Sequence, residues 1–283
     1  MNQAIVVGLD GSAQSEAAAR WAAREARRSG RALRMVHVVD EDSVAPGPPG
    51  APGARLPEAV AGIRDRIAAA LPDLEITCER ITGSPSYALA AAGERAGLLV
   101  LGSRGLGGVA GVLVGSVGLR TAGHARCPVV LVPDGADGTV GEVVLGVQGD
   151  RPCDAPLAFA FEQAARRGTV LWAVEAWTPP AGPYATEAPL EPPAIKESLA
   201  ADRLVHLQDA LSRWREKFPE VRTRAEVVGR GAAEAVLSAS GSASLVVLGR
   251  RAPRHPMSPP RLGAVAHAVL HHAACPVAVV PHD

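Results

Sequence analysis

The chain has 283 residues, 29 basic and 29 acidic side chains, a formal net charge of zero, 47% hydrophobic and only 3% aromatic residues. The length suggests two domains, and the hydrophobic fraction is ample for packed cores. Charge is balanced within each part, 14 of each sign before Gly141 and 15 of each sign from there on, which argues against a nucleic acid or an anionic membrane surface as a general partner.

Taken in chain order, residues 4–9 form a continuous apolar run ending in Asp10-Gly11, read as a first strand. Residues 15–28 carry apolar side chains at helical spacing and close at Gly30, a C-cap position. Residues 33–39 are a second strand, 57–71 a second helix and 75–82 a third strand. A helix over 85–96 begins at its proline. Residues 98–102 are a fourth strand, 115–125 a last helix and 129–133 a fifth strand. Continuous apolar strands joined by helices imply a parallel sheet covered on both faces.

The same order then recurs. Ile5-Val-Val-Gly-Leu-Asp-Gly-Ser12 returns as Val143-Val-Leu-Gly-Val-Gln-Gly-Asp150, and Leu98-Leu-Val-Leu-Gly102 as Leu245-Val-Val-Leu-Gly249. His124-Ala-Arg-Cys-Pro-Val129 returns as His272-Ala-Ala-Cys-Pro-Val277. A period near 140 residues is a domain duplication, not a solenoid. Two domains are expected, at 1–138 and 139–283. The Pro/Gly-rich stretches 44–57 and 178–193 fall at equivalent places, as variable surface loops or a flap beside a ligand site.

Other classes are excluded. No apolar run approaches the 18 or more residues of a membrane helix. The first residues carry no signal-peptide pattern, and four cysteines form no CxxC pair. A cytoplasmic protein is expected. The scarcity of aromatics excludes a base-stacking platform. Only Lys196 and Lys217 are lysines, and no Gly-Lys pair exists, so there is no P-loop.

In an open parallel sheet, ligands sit beyond the carboxyl ends of the strands where the strand order reverses. The loops after the first and fourth strands are therefore the candidates. The first offers Asp10, Gly11 and Ser12. The second runs Gly102-Ser103-Arg104-Gly105 onward to Gly115-Ser116, and seven of the residues from Gly102 to Gly118, both included, are glycine. Such a loop lets backbone N–H groups approach an anion, and it feeds the start of the 115–125 helix, whose free N–H groups and dipole favour phosphate. Residues 105–110 match GxGxx[GA], but after the fourth strand rather than the first, so a dinucleotide fold is not indicated.

The spacing Gly102-x2-Gly105-x9-Gly115-Ser116 resembles the ATP-binding signature of the universal stress protein family. The blocks around Asp10, His37-Val-Val-Asp40, Gly83-Ser-Pro85 and His124-Ala-Arg-Cys-Pro-Val129 resemble it too, and both halves take part. The resemblance implies an α/β fold of two repeated open parallel five-stranded sheets, order 3-2-1-4-5, with helices on both faces, Rossmann-like or adenine nucleotide alpha hydrolase-like. It implies pairing through the last strand, as a homodimer or as an intramolecular pseudo-dimer of the two halves. ATP, with Mg²⁺, is the implied cofactor. Asp10 would serve its ribose and metal end, Val38 the adenine through its backbone, and Gly102, Ser103, Arg104, Gly105, Gly115, Ser116 and Val117 the ribose and phosphates. Gly118 stands where family members often carry Ser or Thr, which removes one phosphate hydrogen bond.

The second half departs from the signature. Gln148 replaces the Asp, Ala252 stands at the Gly105 position and Ala264 replaces Ser116. A proline-rich segment with four arginines, 250–261, replaces the glycine loop, so loss or alteration of nucleotide binding is expected there, with the arginines offering an anion another route.

Plainer readings stand beside these. Asp10 is also suited to capping the first helix or its turn. His267 and His271, at i and i+4, suit a metal pair or a solvent face. Cys127 and Cys275 suit buried packing. No nucleophile–base constellation is evident, so the expected protein is not an enzyme, beyond slow incidental ATP hydrolysis. The functional expectation is an ATP-binding sensory or regulatory protein of the stress response. A nucleotide-independent dimerisation scaffold and a weak ATPase are the alternatives.

Overall fold

The structure, a computed structural model, describes residues 3–40, 56–104, 114–136, 140–148, 153–177, 193–252 and 262–283. The first half runs β1 (Ile5–Gly8), α1 (Ala13–Ser29), β2 (Leu33–Val39), α2 (Glu58–Ala70), β3 (Ile76–Thr82), α3 (Pro85–Gly93), β4 (Leu98–Gly102), α4 (Ser116–His124) and β5 (Val129–Val132). The second runs β6 (Glu142–Val147), α5 (Asp154–Arg167), β7 (Leu171–Ala176), α6 (Pro193–Lys217), β8 (Thr223–Val228), α7 (Ala232–Ser240), β9 (Ala243–Arg251), α8 (Ala264–His272) and β10 (Val277–His282). Every expected element of the first half is present. The boundary placed between residues 138 and 139, and most of both Pro/Gly-rich loops, lie outside the described residues.

Local chemistry explains the element ends. Ser12 caps α1 by accepting a hydrogen bond from the Ser15 N–H. Gly30 ends it in the left-handed conformation at φ 62°, its N–H bonding back to the carbonyls of Ala26 and Arg27. Gly168 ends α5 in the same way at φ 61°.

Each half has the strand order 3-2-1-4-5, all parallel, and the two halves form one ten-stranded sheet, β3-β2-β1-β4-β5-β10-β9-β6-β7-β8. The join is antiparallel between β5 and β10, with Val130 opposite Ala278. Those two residues are counterparts at an offset of 148, so a pseudo-two-fold axis passes between them. The edges implied for pairing are thus satisfied within one chain. Alternate strand residues point to opposite layers: Ile5 and Val7 join a core under α1, α2, α5 and α6, and Val6 joins one under α3, α4, α7 and α8. Burial of both faces is why these strands read as unbroken apolar runs.

The axis also passes between α1 and α5. Buried Gln163 donates to Glu25, its counterpart at an offset of 138, across 2.9 Å. Arg167 lies 2.9 Å from the same carboxylate and stacks over Trp21. Because Arg167 is buried with Arg28 and Arg166 nearby, its pKa is lowered from the usual guanidinium value, desolvation being the main cause.

Candidate functional site

β1 lies between β2 and β4, with Gly8 opposite Val36 and Val7 opposite Val100. That register places Asp10, Gly11 and Ser12 beside the ends of β2 and β4, at the edge where the strand order reverses. Asp10 Oδ1 accepts from the Ser12 N–H at 2.9 Å and from its hydroxyl at 2.6 Å. Ser12 Oγ accepts from the Ser15 N–H at 3.1 Å. The cap of α1 is therefore Ser12, and Asp10 braces the cap from outside the helix. Gly11 has φ 88°, and a Cβ there would stand 3.0 Å from the Ala59 Cβ of α2, so the tight approach of α2 requires glycine.

The loop after β4 is stapled at its base. The Ser103 N–H donates to the Val132 carbonyl at 2.8 Å, and the Gly115 N–H donates to the Ser103 carbonyl at 2.7 Å. This brings the start of α4 against the end of β4. The N-cap of α4 is Gly115, which has no side chain to cap it, and the N–H groups of its first turn, including those of Ser116 and Val117, have no intrahelical partner. Both residues are exposed. Gly102 is hemmed in by backbone: a Cβ would lie 2.9 Å from the C and O atoms of Gln14 and 3.1 Å from the Arg104 carbonyl oxygen. Ser103 is buried. The Arg104 guanidinium lies 3.5 Å from Asp134, which also accepts from Gln14 at 3.3 Å.

The structure thus gathers Asp10, Gly11, Ser12, Gly102, Ser103, Arg104, Gly115, Ser116 and Val117 around one cleft edge. Val38 sits next along, paired with Ile81 of β3. Gly105 lies outside the described residues. Three residues that the motif did not single out belong to the same edge. Asp134 pairs with Arg104 and accepts from Gln14, and His37 Nδ1 lies 2.8 Å from the Leu9 carbonyl oxygen, tying the ends of β1 and β2. Position was the available signal for Asp134, which follows a strand end on the ligand side of the sheet.

The second half presents the same edge with other chemistry. Gln148 is exposed at the Asp10 position. The Ala252 N–H donates to the His282 carbonyl at 2.6 Å, and Ala264 opens α8. His267 and His271 are in contact, ring centroids 4.6 Å apart. Burial, then the neighbouring His267 and His272, lower the His271 pKa. Among the described residues no group of three or more His, Cys, Asp or Glu side chains could hold a metal ion. Cys127 and Cys275 are buried, and desolvation pushes both thiols up to about 11. Among the described residues no helix is long and apolar enough to cross a membrane.

Comparison with known proteins gives a consistent result. The profile of the Universal stress protein family matches residues 1–133 and again 140–281. Universal stress protein Rv2005c of Mycobacterium tuberculosis is 32% identical over 290 residues, covering 97% of this chain and 96% of its own. Universal stress protein Rv1996 of the same organism is 32% identical over 311 residues, covering 100% and 96%. The crystal structure of a universal stress protein from Archaeoglobus fulgidus superposes with a TM-score of 0.68 at 15% identity, covering 100% of both chains, which is a likeness of fold.

Proposed function

The chain belongs to the universal stress protein family, and from that premise we propose that its first half binds ATP and that occupancy, rather than catalysis, is its output. The observation that carries this reading is the staple between Ser103 and Gly115, which sets the start of α4, whose N-cap is a glycine, against the end of β4. An uncapped helix start at a glycine-lined loop favours phosphate through its N–H groups and dipole. It needs no lysine.

Asp10, Gly11, Ser12, Val38, Gly102, Ser103, Arg104, Gly105, Gly115, Ser116 and Val117 are the proposed contacts. Gly115, Ser116 and Val117 offer backbone N–H groups to the phosphates, with the Ser116 hydroxyl beside them. Two carboxylates are described at this edge: Asp134, which is paired with Arg104, and Asp10, which accepts from Ser12. The latter suits Mg²⁺, which takes one or two carboxylates along with substrate phosphates. The ion would supply charge neutralisation of the phosphates. The Ser12 hydroxyl that donates to Asp10 also caps α1, so this pair serves the helix start, and on this reading the protein acts as a sensory or regulatory binder whose ATP hydrolysis is slow and incidental.

The test is calorimetric titration of the full chain with ATP and Mg²⁺, together with mass spectrometry of what co-purifies. Binding at one site per chain is expected. A Gly115→Lys variant, which puts a bulky side chain at the helix start, should bind no ATP. Unchanged affinity in that variant would refute the proposed site.

A further inference from the structure

The second half carries a cavity of about 670 Å³, open to solvent, at the C-terminal ends of β6, β7 and β9. Leu145, Val174, Val236 and Leu248 give it an apolar floor, with Trp177 at one side. None of its described lining residues is acidic, whereas Arg203, Arg250, Arg251 and His282 all line it.

Two of these arginines are placed very differently. Arg203 lies 2.7 Å from the buried carboxylate of Glu175, so its charge is answered. Arg250 is only 5% exposed. One of its N–H groups donates to the Ala125 carbonyl of the first half. Its Nε is buried with no hydrogen-bond partner among the described residues, and no carboxylate among them pairs with it. Burial accordingly lowers its pKa. A guanidinium taken out of water without a countercharge is unfavourable, and an anion beside it relieves that cost.

Three helices start at the same cavity. Its lining includes Cys153, the N-cap of α5, Ala232, the first residue of α7, and Gly263 and Ala264 at the start of α8. None of the three carries a side-chain cap, in contrast to α1. Their N–H groups and dipoles add to the attraction for an anion.

A nucleotide is a poor fit for this space. The carboxylate of the first half is replaced by Gln148 and the helix-start hydroxyl by Ala264. The His282 ring lies over Gly249, 2.9 Å from where a Cβ would stand, at the strand end equivalent to Gly102. A large apolar floor with one buried cation calls for a small charged head on an apolar body. We propose that the second half binds an organic acid: a carboxylate set against Arg250 and the α8 start, with an apolar chain or ring on the floor.

The proposal is tested on the full chain with 8-anilinonaphthalene-1-sulfonate as fluorescent probe, displaced by decanoate, decanol or ATP. Decanoate should displace the probe at least tenfold more tightly than decanol, which differs only in its head group. Arg250→Met should weaken decanoate at least tenfold and leave decanol unchanged, and Val236→Trp, which fills the floor, should weaken both. Equal affinity for decanoate and decanol in the unaltered chain, or undiminished decanoate binding by Arg250→Met, would overturn the proposal. The head-group comparison needs no variant and decides the matter even if Arg250→Met fails to fold. Displacement by ATP in the Gly115→Lys variant would also overturn it, in favour of a second nucleotide site. Whether the first half binds ATP is read separately, by titration in the absence of decanoate, so failure of that reading is distinguishable from failure of this one.

Discussion

Replacing Glu25 by Gln should destabilise the whole molecule, because that carboxylate is the buried countercharge at the join of the two halves. Glu25 and Gln163 are each 1% exposed. The Arg167 side chain is 7% exposed, 2.9 Å from Glu25, and Arg166 and Arg28 approach the same carboxylate at 3.9 and 4.0 Å. Removing one partner of a buried ion pair strands the other and costs roughly 3–5 kcal/mol. The neutral amide keeps the side-chain shape, so the loss is electrostatic rather than a cavity. For a chain of this size about 2 °C of Tm accompanies each kcal/mol, which gives a fall of about 6–10 °C in a thermal melt. Arg167→Met alone should cost less, because Glu25 keeps the Gln163 amide at 2.9 Å and Arg166 and Arg28 at 3.9 and 4.0 Å. The double variant, with neither charge left, should recover much of the loss, since an apolar replacement of a buried pair is often neutral. A Glu25→Gln melt within about 2 °C of the unaltered protein, or a double variant whose losses simply add, would refute this account of the join.

Three further outcomes follow from individual contacts. Gly102→Ala forces a Cβ to within 2.9 Å of the Gln14 backbone, so α1 must shift; overpacking of this kind costs about 1–3 kcal/mol, and ATP affinity measured by calorimetry should fall with stability. Gly118→Ser should strengthen ATP binding, because a Cβ there is accommodated by the Leu131 methyls at 3.4 and 3.5 Å and the Gly102 carbonyl oxygen at 3.8 Å. One added neutral hydrogen bond is worth about 0.5–1.5 kcal/mol, up to roughly tenfold in Kd; no gain would place the hydroxyl away from the phosphates. Cys127 and Cys275, buried with thiols pushed up to about 11, should resist iodoacetamide at pH 8 until the protein is unfolded, since only the thiolate reacts. Peptide mapping that finds either one labelled in the native protein would contradict that placement.

The fold was legible because both faces of the sheet are covered. Runs such as residues 98–101 and 129–132 are apolar without alternation, a pattern that a parallel sheet buried on both sides demands and that also marks where each strand stops. Gly30 announced the end of α1 because only a left-handed residue closes it at that angle. The candidate site was legible where backbone geometry demands glycine, as at Gly11 and Gly102. It was not legible at Gln14 and Asp134, whose contact joins segments 120 residues apart in sequence. Nor could composition distinguish Arg250 from its neighbour Arg251. The difference between a buried cation and an exposed one is set by which face of β9 each side chain leaves.

Fusion of two copies in one chain changes what each copy is free to become. In a symmetric pair, residues on the axis meet their own kind, so a Glu at position 25 would face another Glu. Here Glu25 faces Gln163, and a single carboxylate is shared by guanidinium groups from both halves. That arrangement is available only to unlike halves. The same unlikeness runs to the ligand edge, where Asp10 and Ser116 on one side correspond to Gln148 and Ala264 on the other. Arg250 links the two regions: it lines the cavity of the second half, yet its hydrogen bond goes to Ala125, at the C-terminal end of the helix that starts at the proposed phosphate site of the first. An anion drawn to the Arg250 Nε pulls on the same guanidinium whose terminal N–H donates to Ala125, so occupancy of the second cavity has a physical route to the position of α4. The expected sign is negative coupling, with decanoate weakening ATP binding in the unaltered chain and losing that effect in Arg250→Met. ATP affinity independent of decanoate at saturation would show that the contact to Ala125 transmits nothing.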